Sequence, residues 1–313
     1  MSRVEKLMTA KTPWIADAGL ETVMIFLEGI DLPHFASFSL LDSDTGRAAL
    51  TRYFDHFVAL AQGGRTGFVL DTATWRANMG WAATMQMDPA AIRSANLRAV
   101  AFASAYRDLH ETASAPILIN GVVGPAGDGY RVDTALTAEE AEDLHAFQIG
   151  ALATGGVDLI SAVTMTYPAQ AIGIARAAAA HGLPHVLSFT LETDGCLPNG
   201  QTLAAAIGEV DAKTGGSPLF YMVNCAHPTH FQDVLDGAWV RRIGGIRANA
   251  SRISHAALDV AVTLDDGDPQ EFGALYAELG AVLPDLKLIG GCCGSDHRHV
   301  GAASRHFHPR PAA

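Results

Sequence analysis

Three observations predict that this chain folds as a single (β/α)₈ barrel. Its length of 313 residues is one that a single α/β barrel commonly has. Eight short apolar segments alternate with longer stretches of helical pattern. Most of these segments are continuously apolar, as expected of parallel strands that are buried on both faces. An open doubly wound sheet would produce the same alternation and is the competing arrangement.

The predicted strands are spread along the whole chain. They are Trp14–Asp17, Gly67–Thr72, Ile117–Gly121, Val157–Val163, His185–Thr190, Leu219–Asn224, Ile243–Ala248 and Leu286–Gly291. The clearest predicted helices between them are Ala90–His110 and Ala138–Thr154, and the alanine-rich stretch Gln170–His181 is a third. A capping box, Thr137 with Glu140, opens the second helix, and Gly182 is a C-cap signal for the third. Residues 301–313 are predicted to be a flexible C-terminal tail, with the rest of 1–313 forming one domain.

Composition and charge exclude several classes of function. Hydrophobic residues make up 49% of the chain and charged residues 17%, which allows a large core and argues against disorder. The net charge of −12 disfavours binding to nucleic acid or to anionic membranes. No apolar run is long enough to span a membrane, and residues 1–11 carry charges without an apolar signal segment. A cytoplasmic location is therefore expected.

Three of the four cysteines follow predicted strands. Cys225 follows the sixth strand, and Cys292 and Cys293 follow the eighth. Chemistry in a barrel occurs at the carboxyl ends of the strands, and these two strands lie two places apart on that edge. Three thiolates with an open fourth position form a catalytic zinc (Zn²⁺) site. Ordinary buried cysteines and a redox dithiol are the alternatives. Cys196 lies in a polar loop and is expected to be a free thiol.

With these cysteines in place, the sequence resembles the zinc-dependent homocysteine S-methyltransferase family along nearly its whole length. Asp71–Asn78 is similar to that family's Thr-x-Thr-Tyr-Gln-Ala segment. The other similar segments, in order, are Asp17–Thr22, Gly121–Pro125, Gly156–Ile160, Ser188–Thr190, Asn224–Cys225 and Gly290–Gly294. The resemblance implies a (β/α)₈ barrel in which Cys225, Cys292 and Cys293 hold zinc. It also implies methyl transfer from an onium donor to a zinc-bound thiol.

Under this resemblance the two reactants are small molecules. The donor would be S-methylmethionine, S-adenosylmethionine or a betaine, and the acceptor L-homocysteine, giving methionine. No glycine-rich nucleotide loop supports a Rossmann-type adenosylmethionine site. A homo-oligomer is possible, because an acidic barrel suits monomers and dimers equally.

Six residues at strand ends or in nearby loops are candidates for substrate contact. Asp17 and Asn249 are the catalytic candidates, and the full set of binding candidates is Asp17, Thr22, Thr72, Trp75, Asn224 and Asn249. Trp75 could form a wall beside a cationic donor through cation–π attraction. Asn224 and Asn249 could bond a substrate carboxylate or orient a zinc ligand. Helix caps, turns and core packing are the alternative roles of these residue types.

The sequence departs from the family pattern at substrate-facing segments. Val163 stands where the family has a glutamate that is expected to pair with the homocysteine amino group. Another acid, Asp17 or Glu192, must then replace it, or the acceptor is a different thiol. A zinc methyltransferase acting on another thiol and a non-catalytic zinc- or thiol-binding barrel are the alternatives. Asn249 is retained, but its neighbours and the residues after Cys293 differ from the family pattern.

The histidines near these segments are not expected to bind metal. His227 follows Cys225 by two residues and precedes Pro228, which favours a role in the loop. The histidines near the C-terminus resemble a metal-binding tract, but a solvated helix followed by a tail is the favoured interpretation. They are His297, His299, His306 and His308.

Overall fold

The computed structural model describes residues 1–133 and 135–308 and contains a closed barrel of eight parallel strands. The strands follow chain order around the barrel, and pairing between the first and last closes it. They are β1 Trp14–Ala16, β2 Phe68–Asp71, β3 Ile117–Val123, β4 Leu159–Met165, β5 His185–Phe189, β6 Tyr221–Asn224, β7 Ile243–Ala248 and β8 Leu288–Gly291. This closure confirms the (β/α)₈ barrel and rules out the open sheet.

Helices surround the barrel and connect its strands. They are α1 Arg3–Thr9, α2 Leu20–Thr22, α3 Asp44–Gly64, α4 Met79–Ala82, α5 Pro89–His110, α6 Ala138–Gly155, α7 Pro168–Ala180, α8 Leu203–Thr214, α9 Pro228–Phe231, α10 His255–Leu258, α11 Pro269–Val282 and α12 His297–Phe307. A π-helical turn at Val23–Leu27 follows α2, and short 3₁₀ turns occupy Pro33–Phe35, Ser37–Asp42, Gln232–Val234 and Ala238–Arg242. The predicted capping box is present, since Thr137 Oγ1 accepts from the Glu140 amide at 3.2 Å.

The inside of the barrel changes from apolar to polar along the strands. At the amino ends an apolar cluster fills the interior, and Leu7 of α1 packs against it; among its members are Trp14, Leu118, Leu159, Val186, Phe220 and Leu288. Further along, buried polar side chains bond across the strands, as where Ser161 donates to Asn120 and Asn120 donates to Asp71. A second apolar layer lies between strands and helices. Stability and chemistry are therefore placed at opposite ends of the barrel.

Up to residue 308, the C-terminal segment is part of the folded barrel and not a flexible tail. Residues 301–307 belong to α12, where Val300 and Ala303 pack into the outer core. His308 is also buried, and its Nε2 lies 2.8 Å from the Pro13 carbonyl oxygen. The polar composition of α12 hid the apolar stripe on its inner face. Residues 309–313, the rest of the predicted tail, lie outside the described part of the chain.

In the described part of the chain, no helix combines the length and apolarity needed to cross a membrane.

Candidate active site

The three predicted cysteines meet at the carboxyl end of the barrel. Cys225 Sγ lies 2.9 Å from Cys292 Sγ and 3.5 Å from Cys293 Sγ, and no disulfide links them. All three sulfurs lie within 4.8 Å of one another. Among the described residues, they form the one group of three or more His, Cys, Asp or Glu side chains that is close enough to share an ion. The arrangement suits a thiophilic metal.

The backbone around the cysteines is held by unusual dihedral angles and close contacts. Cys225 has a φ of 55°, which is uncommon for a residue other than glycine and marks local strain at the site. Gly19 passes close to Cys292, because a Cβ at Gly19 would lie 2.6 Å from the Cys292 carbonyl oxygen. Thr22 Oγ1 accepts a hydrogen bond from the Gly294 amide at 3.1 Å. The segment after β1 therefore fastens the loop that carries Cys292 and Cys293.

Asn224 holds the cysteine cluster from the barrel side. Its Oδ1 accepts from the Thr164 amide at 2.9 Å and from Ser188 Oγ at 2.6 Å. Its Nδ2 donates to Thr164 Oγ1 at 2.9 Å and points at Cys292 Sγ, 3.8 Å away. Both ends of the amide are therefore engaged by the protein, and Nδ2 lies next to Cys292, a candidate ligand.

Aromatic and imidazole groups cover the other side of the cluster. Tyr130 Oη lies 3.5 Å from Cys293 Sγ and 3.6 Å from Cys225 Sγ. The Tyr130 ring stacks on His255 with a centroid separation of 4.1 Å. His255 Nε2 lies 2.6 Å from the Cys225 carbonyl oxygen, and its Nδ1 lies 3.1 Å from Glu192 Oε1. These contacts fix the Cys225 backbone in its left-handed conformation.

Contacts among the three thiols shift their pKa values in opposite directions. Hydrogen bonds from the thiols of Cys225 and Cys293 lower the pKa of Cys292 well below its ordinary value, and the nearby Arg247 charge adds to this effect. The hydrogen bond to Cys292 raises the pKa of Cys225 in turn.

A cavity of about 650 Å³ opens over the three sulfurs. This volume falls within the range typical of small-molecule sites. The candidates Asp17, Thr22, Thr72, Trp75 and Asn224 all line it, and Asn249 does not. The Asn249 side chain is buried, and its Oδ1 has no hydrogen-bond partner among the described residues. The sequence located the end of β7 correctly but not the direction of this side chain.

Asp17 lines the cavity, but its carboxylate is committed to another residue. Arg247, on β7, donates to both Asp17 and Asp71, and all three side chains are buried. Arg247 Nε also donates to the Gly291 carbonyl oxygen at 3.3 Å, directly before Cys292. Burial raises the pKa of Asp17, and the Arg247 charge opposes that rise. Asp17 is therefore part of a buried ion cluster under the site, and its role as a substrate-binding acid stays a prediction.

Trp75 forms part of the cavity wall, but a cation of the protein itself occupies its face. The Arg76 guanidinium lies 3.9 Å from the Trp75 ring centroid and 3.7 Å from that of Trp81. A donor cation cannot stack on the same face. Thr72 is likewise engaged, because its hydroxyl bonds Thr74 Oγ1 at 2.7 Å and the Asn120 carbonyl oxygen at 3.1 Å.

The remaining predicted side chains lie away from the sulfurs or bond elsewhere. Glu192 does not line the cavity and bonds His255, whereas Val163 does line it without offering a charge. His227 caps α9 through its Nδ1, and Cys196 is a half-buried free thiol in a loop. The histidines of α12 form no metal-ligand group, and His299 is buried with Nε2 2.7 Å from the Asp266 carbonyl oxygen. The expectation of a solvated α12 was thus wrong.

Sequence reasoning missed five residues that shape the site: Glu21, Arg76, Tyr130, Arg247 and His255. Arg247 interrupts the otherwise apolar segment Ile243–Ala248 and was a usable signal, because a buried strand cation needs acidic partners. The position of Tyr130 has no comparable signal, since its loop must fold back over the barrel to reach the sulfurs.

Comparisons with known proteins agree with this fold. A family model described as homocysteine S-methyltransferase matches residues 15–307. A search of curated proteins found no match. Among solved structures, the oxidized form of the homocysteine methyltransferase MmuM from Escherichia coli has a TM-score of 0.76 at 19% identity, covering 97% of this chain and 99% of that one. Its metallated form has a TM-score of 0.75 at 18% identity, with coverage of 97% and 99%.

Proposed function

Because the chain belongs to the homocysteine S-methyltransferase family, we propose that it moves a methyl group from an onium donor to a zinc-bound thiol, L-homocysteine, giving methionine. The observation that carries the proposal is the convergence of three thiols beneath an open cavity. Membership of the family makes the chain a methyltransferase; the metal, the donor and the acceptor are the proposed parts.

The cysteine cluster fits a zinc ion. Tetrahedral zinc with Zn–S bonds of about 2.3 Å separates its sulfur ligands by about 3.8 Å. The sulfurs here are 2.9 and 3.5 Å apart, so binding requires only a small outward movement. The side facing the cavity is left for a fourth ligand. Bound zinc would supply a Lewis-acid position where a substrate thiol loses its proton at neutral pH.

Residues around the cysteines keep the three sulfurs in place for zinc and its fourth ligand. Asn224 directs an amide N–H at Cys292, and Thr22 bonds the amide of Gly294. His255 holds the carbonyl of Cys225. Mutation of residues that hydrogen-bond to metal ligands commonly lowers metal affinity or activity by about 10- to 100-fold. They support a rigid, preformed site.

The charge of the cavity supports a cationic donor. Seven acidic residues line it, namely Asp17, Glu21, Asp31, Asp71, Asp128, Asp259 and Asp265. Two arginines line it as well, and one of them, Arg247, is fully paired. An excess of negative charge in a confined cavity attracts a sulfonium or quaternary ammonium group. Neutral or anionic methyl donors would be disfavoured.

A different thiol acceptor is the second candidate, because Val163 offers no charge and Asp17 is engaged by Arg247. A non-catalytic zinc barrel is less consistent with an open cavity above the sulfurs. Location in the cytoplasm and formation of a homo-oligomer stay predictions from the sequence.

The proposal can be tested with zinc-loaded protein and donors that carry a deuterated methyl group. S-methylmethionine, S-adenosylmethionine and betaine are each incubated with L-homocysteine, and labelled methionine is measured by mass spectrometry. We expect label transfer from at least one donor. Cys225→Ser should lose both zinc and transfer, while Cys196→Ser, a matched loop control, should keep both. Transfer that survives in Cys225→Ser would contradict the proposal.

A further inference from the structure

Arg76 is a buried cation in the cavity wall without an acidic partner. Only 8% of its surface is exposed, and no carboxylate of the described residues forms a salt bridge with it. Its Nη1 donates to the Gly127 carbonyl oxygen at 3.1 Å, and its Nε has no partner among the described residues. Burial lowers its pKa to about 10, so it stays charged at neutral pH. A buried, unpaired guanidinium is costly unless a ligand supplies the anion.

The two indole rings decide which kind of anion Arg76 can take. Trp75 and Trp81 lie 3.9 and 3.7 Å from the guanidinium carbon. Because the rings stack on the guanidinium, an anion would have to approach it in plane, at its edge. A planar carboxylate fits this edge through two parallel hydrogen bonds. The family segment that this stretch resembles has a glutamine at the position of Arg76, so the charge is a feature of this chain.

Glu21 supplies the opposite charge in the same cavity. Its Oε1 accepts from Ser37 Oγ at 2.8 Å, and no cation of the described residues forms a salt bridge with it. Burial raises its pKa; among charged groups, Cys292 adds to that rise and Arg76 opposes it. The carboxylate therefore lies within electrostatic range of both a candidate metal ligand and the buried arginine.

We propose that Arg76 and Glu21 bind the α-amino acid end of the acceptor thiol, Arg76 its carboxylate and Glu21 its ammonium group. The inference rests on the proposed function, because it takes the thiol sulfur to lie at the three cysteines. It also explains how the chain tolerates Val163. The acid that the resemblance leads one to expect on β4 is replaced by an acid on α2.

Binding of three thiols to the zinc-loaded protein, measured by isothermal titration calorimetry, tests this pairing. The thiols are L-homocysteine, an aminopropanethiol that lacks only its carboxylate, and a sulfanylbutanoate that lacks only its amino group. We expect Arg76→Gln to weaken homocysteine and sulfanylbutanoate about 10- to 100-fold, the usual range for a charge-assisted hydrogen bond. It should leave the aminopropanethiol unchanged.

The second variant should show the reverse pattern. Glu21→Gln should weaken homocysteine and the aminopropanethiol and leave the sulfanylbutanoate unchanged. Arg241→Gln and Glu28→Gln, at exposed ion pairs, are the matched controls and should bind all three thiols as the wild type does. Arg76→Lys keeps the charge without the planar edge and should recover part of the affinity for homocysteine.

The outcomes separate this inference from the proposed function. If homocysteine binds the wild type but Arg76→Gln weakens all three thiols equally, or none of them, the pairing is wrong and the function stands. If no thiol binds the zinc-loaded wild type, both are overturned.

Discussion

Replacing Arg247 with methionine tests the ion cluster that supports the active site. The substitution keeps most of the side-chain length but removes the charge that both Asp17 and Asp71 contact. These carboxylates are buried at the carboxyl end of the barrel. Removing one partner of a buried ion pair costs about 3–5 kcal/mol. Since two carboxylates lose their partner at once, we expect the upper part of that range at about pH 8, where Asp17 is most ionised.

The loss of stability should depend on pH in a specific direction. In the wild type, burial raises the pKa of Asp17 and Arg247 opposes the rise, so the pKa rises further without Arg247. A carboxyl group with a raised pKa in the folded state binds more protons there than in the unfolded chain. The variant should therefore regain stability as pH falls from about 8 to about 5.5, by up to about 1.4 kcal/mol per pH unit for one proton.

Urea unfolding of the metal-free protein, followed by tryptophan fluorescence at both pH values, measures these effects. Arg241→Met removes a half-exposed ion pair with Asp285 and should cost less than about 1 kcal/mol at either pH. Adding Asp17→Asn and Asp71→Asn to the Arg247 variant should restore much of the stability. A loss below about 1 kcal/mol for Arg247→Met at about pH 8, or a loss that does not change with pH, would refute this reasoning.

Three further predictions concern the cysteine cluster. Thr22→Val leaves the buried Gly294 amide without its acceptor and should lower the free energy of unfolding by about 1–3 kcal/mol, measured by urea unfolding; an unchanged value would contradict the contact. Asn224→Ala removes the N–H directed at Cys292 and should weaken zinc binding about 10- to 100-fold in a chelator competition, and unchanged affinity would remove its orienting role. In metal-free protein, a mild thiol oxidant should form a disulfide between Cys225 and Cys292, whose sulfurs are 2.9 Å apart, and peptide mapping would detect it. Zinc loading should block this oxidation. Equal oxidation with and without zinc would argue against zinc binding at these cysteines.

The barrel and the cysteine cluster were both predictable, for a shared physical reason. Strands buried on both faces are mostly apolar, so segments such as Ile117–Gly121 stand out in the sequence. Once the strands were placed, chain order around the barrel brought Cys225 near Cys292 and Cys293. These inferences need only local pattern and topology, and the structure confirms the fold and the convergence of the sulfurs.

Side-chain partners were less predictable, because they depend on long-range geometry. Arg247 meets Asp17 across 230 residues of sequence, and no local pattern shows which acid a buried arginine will choose. The same limit applies to Trp75. A cationic donor was expected on its ring face, but the neighbouring Arg76 covers that face. At the C-terminus, charged and histidine residues suggested a solvated segment. The inner face of α12, with Val300 and Ala303, decided its packing instead.

X-ray absorption at the zinc edge, recorded with and without L-homocysteine, tests the central claim most directly. Without the thiol, Cys225, Cys292 and Cys293 should supply three sulfur ligands, with one lighter atom completing the shell. With the thiol, the spectrum should change to four sulfurs at about 2.3 Å. A shell that keeps three sulfurs would contradict homocysteine as the acceptor. A protein that takes up no zinc after reduction and reloading would contradict the metal site itself.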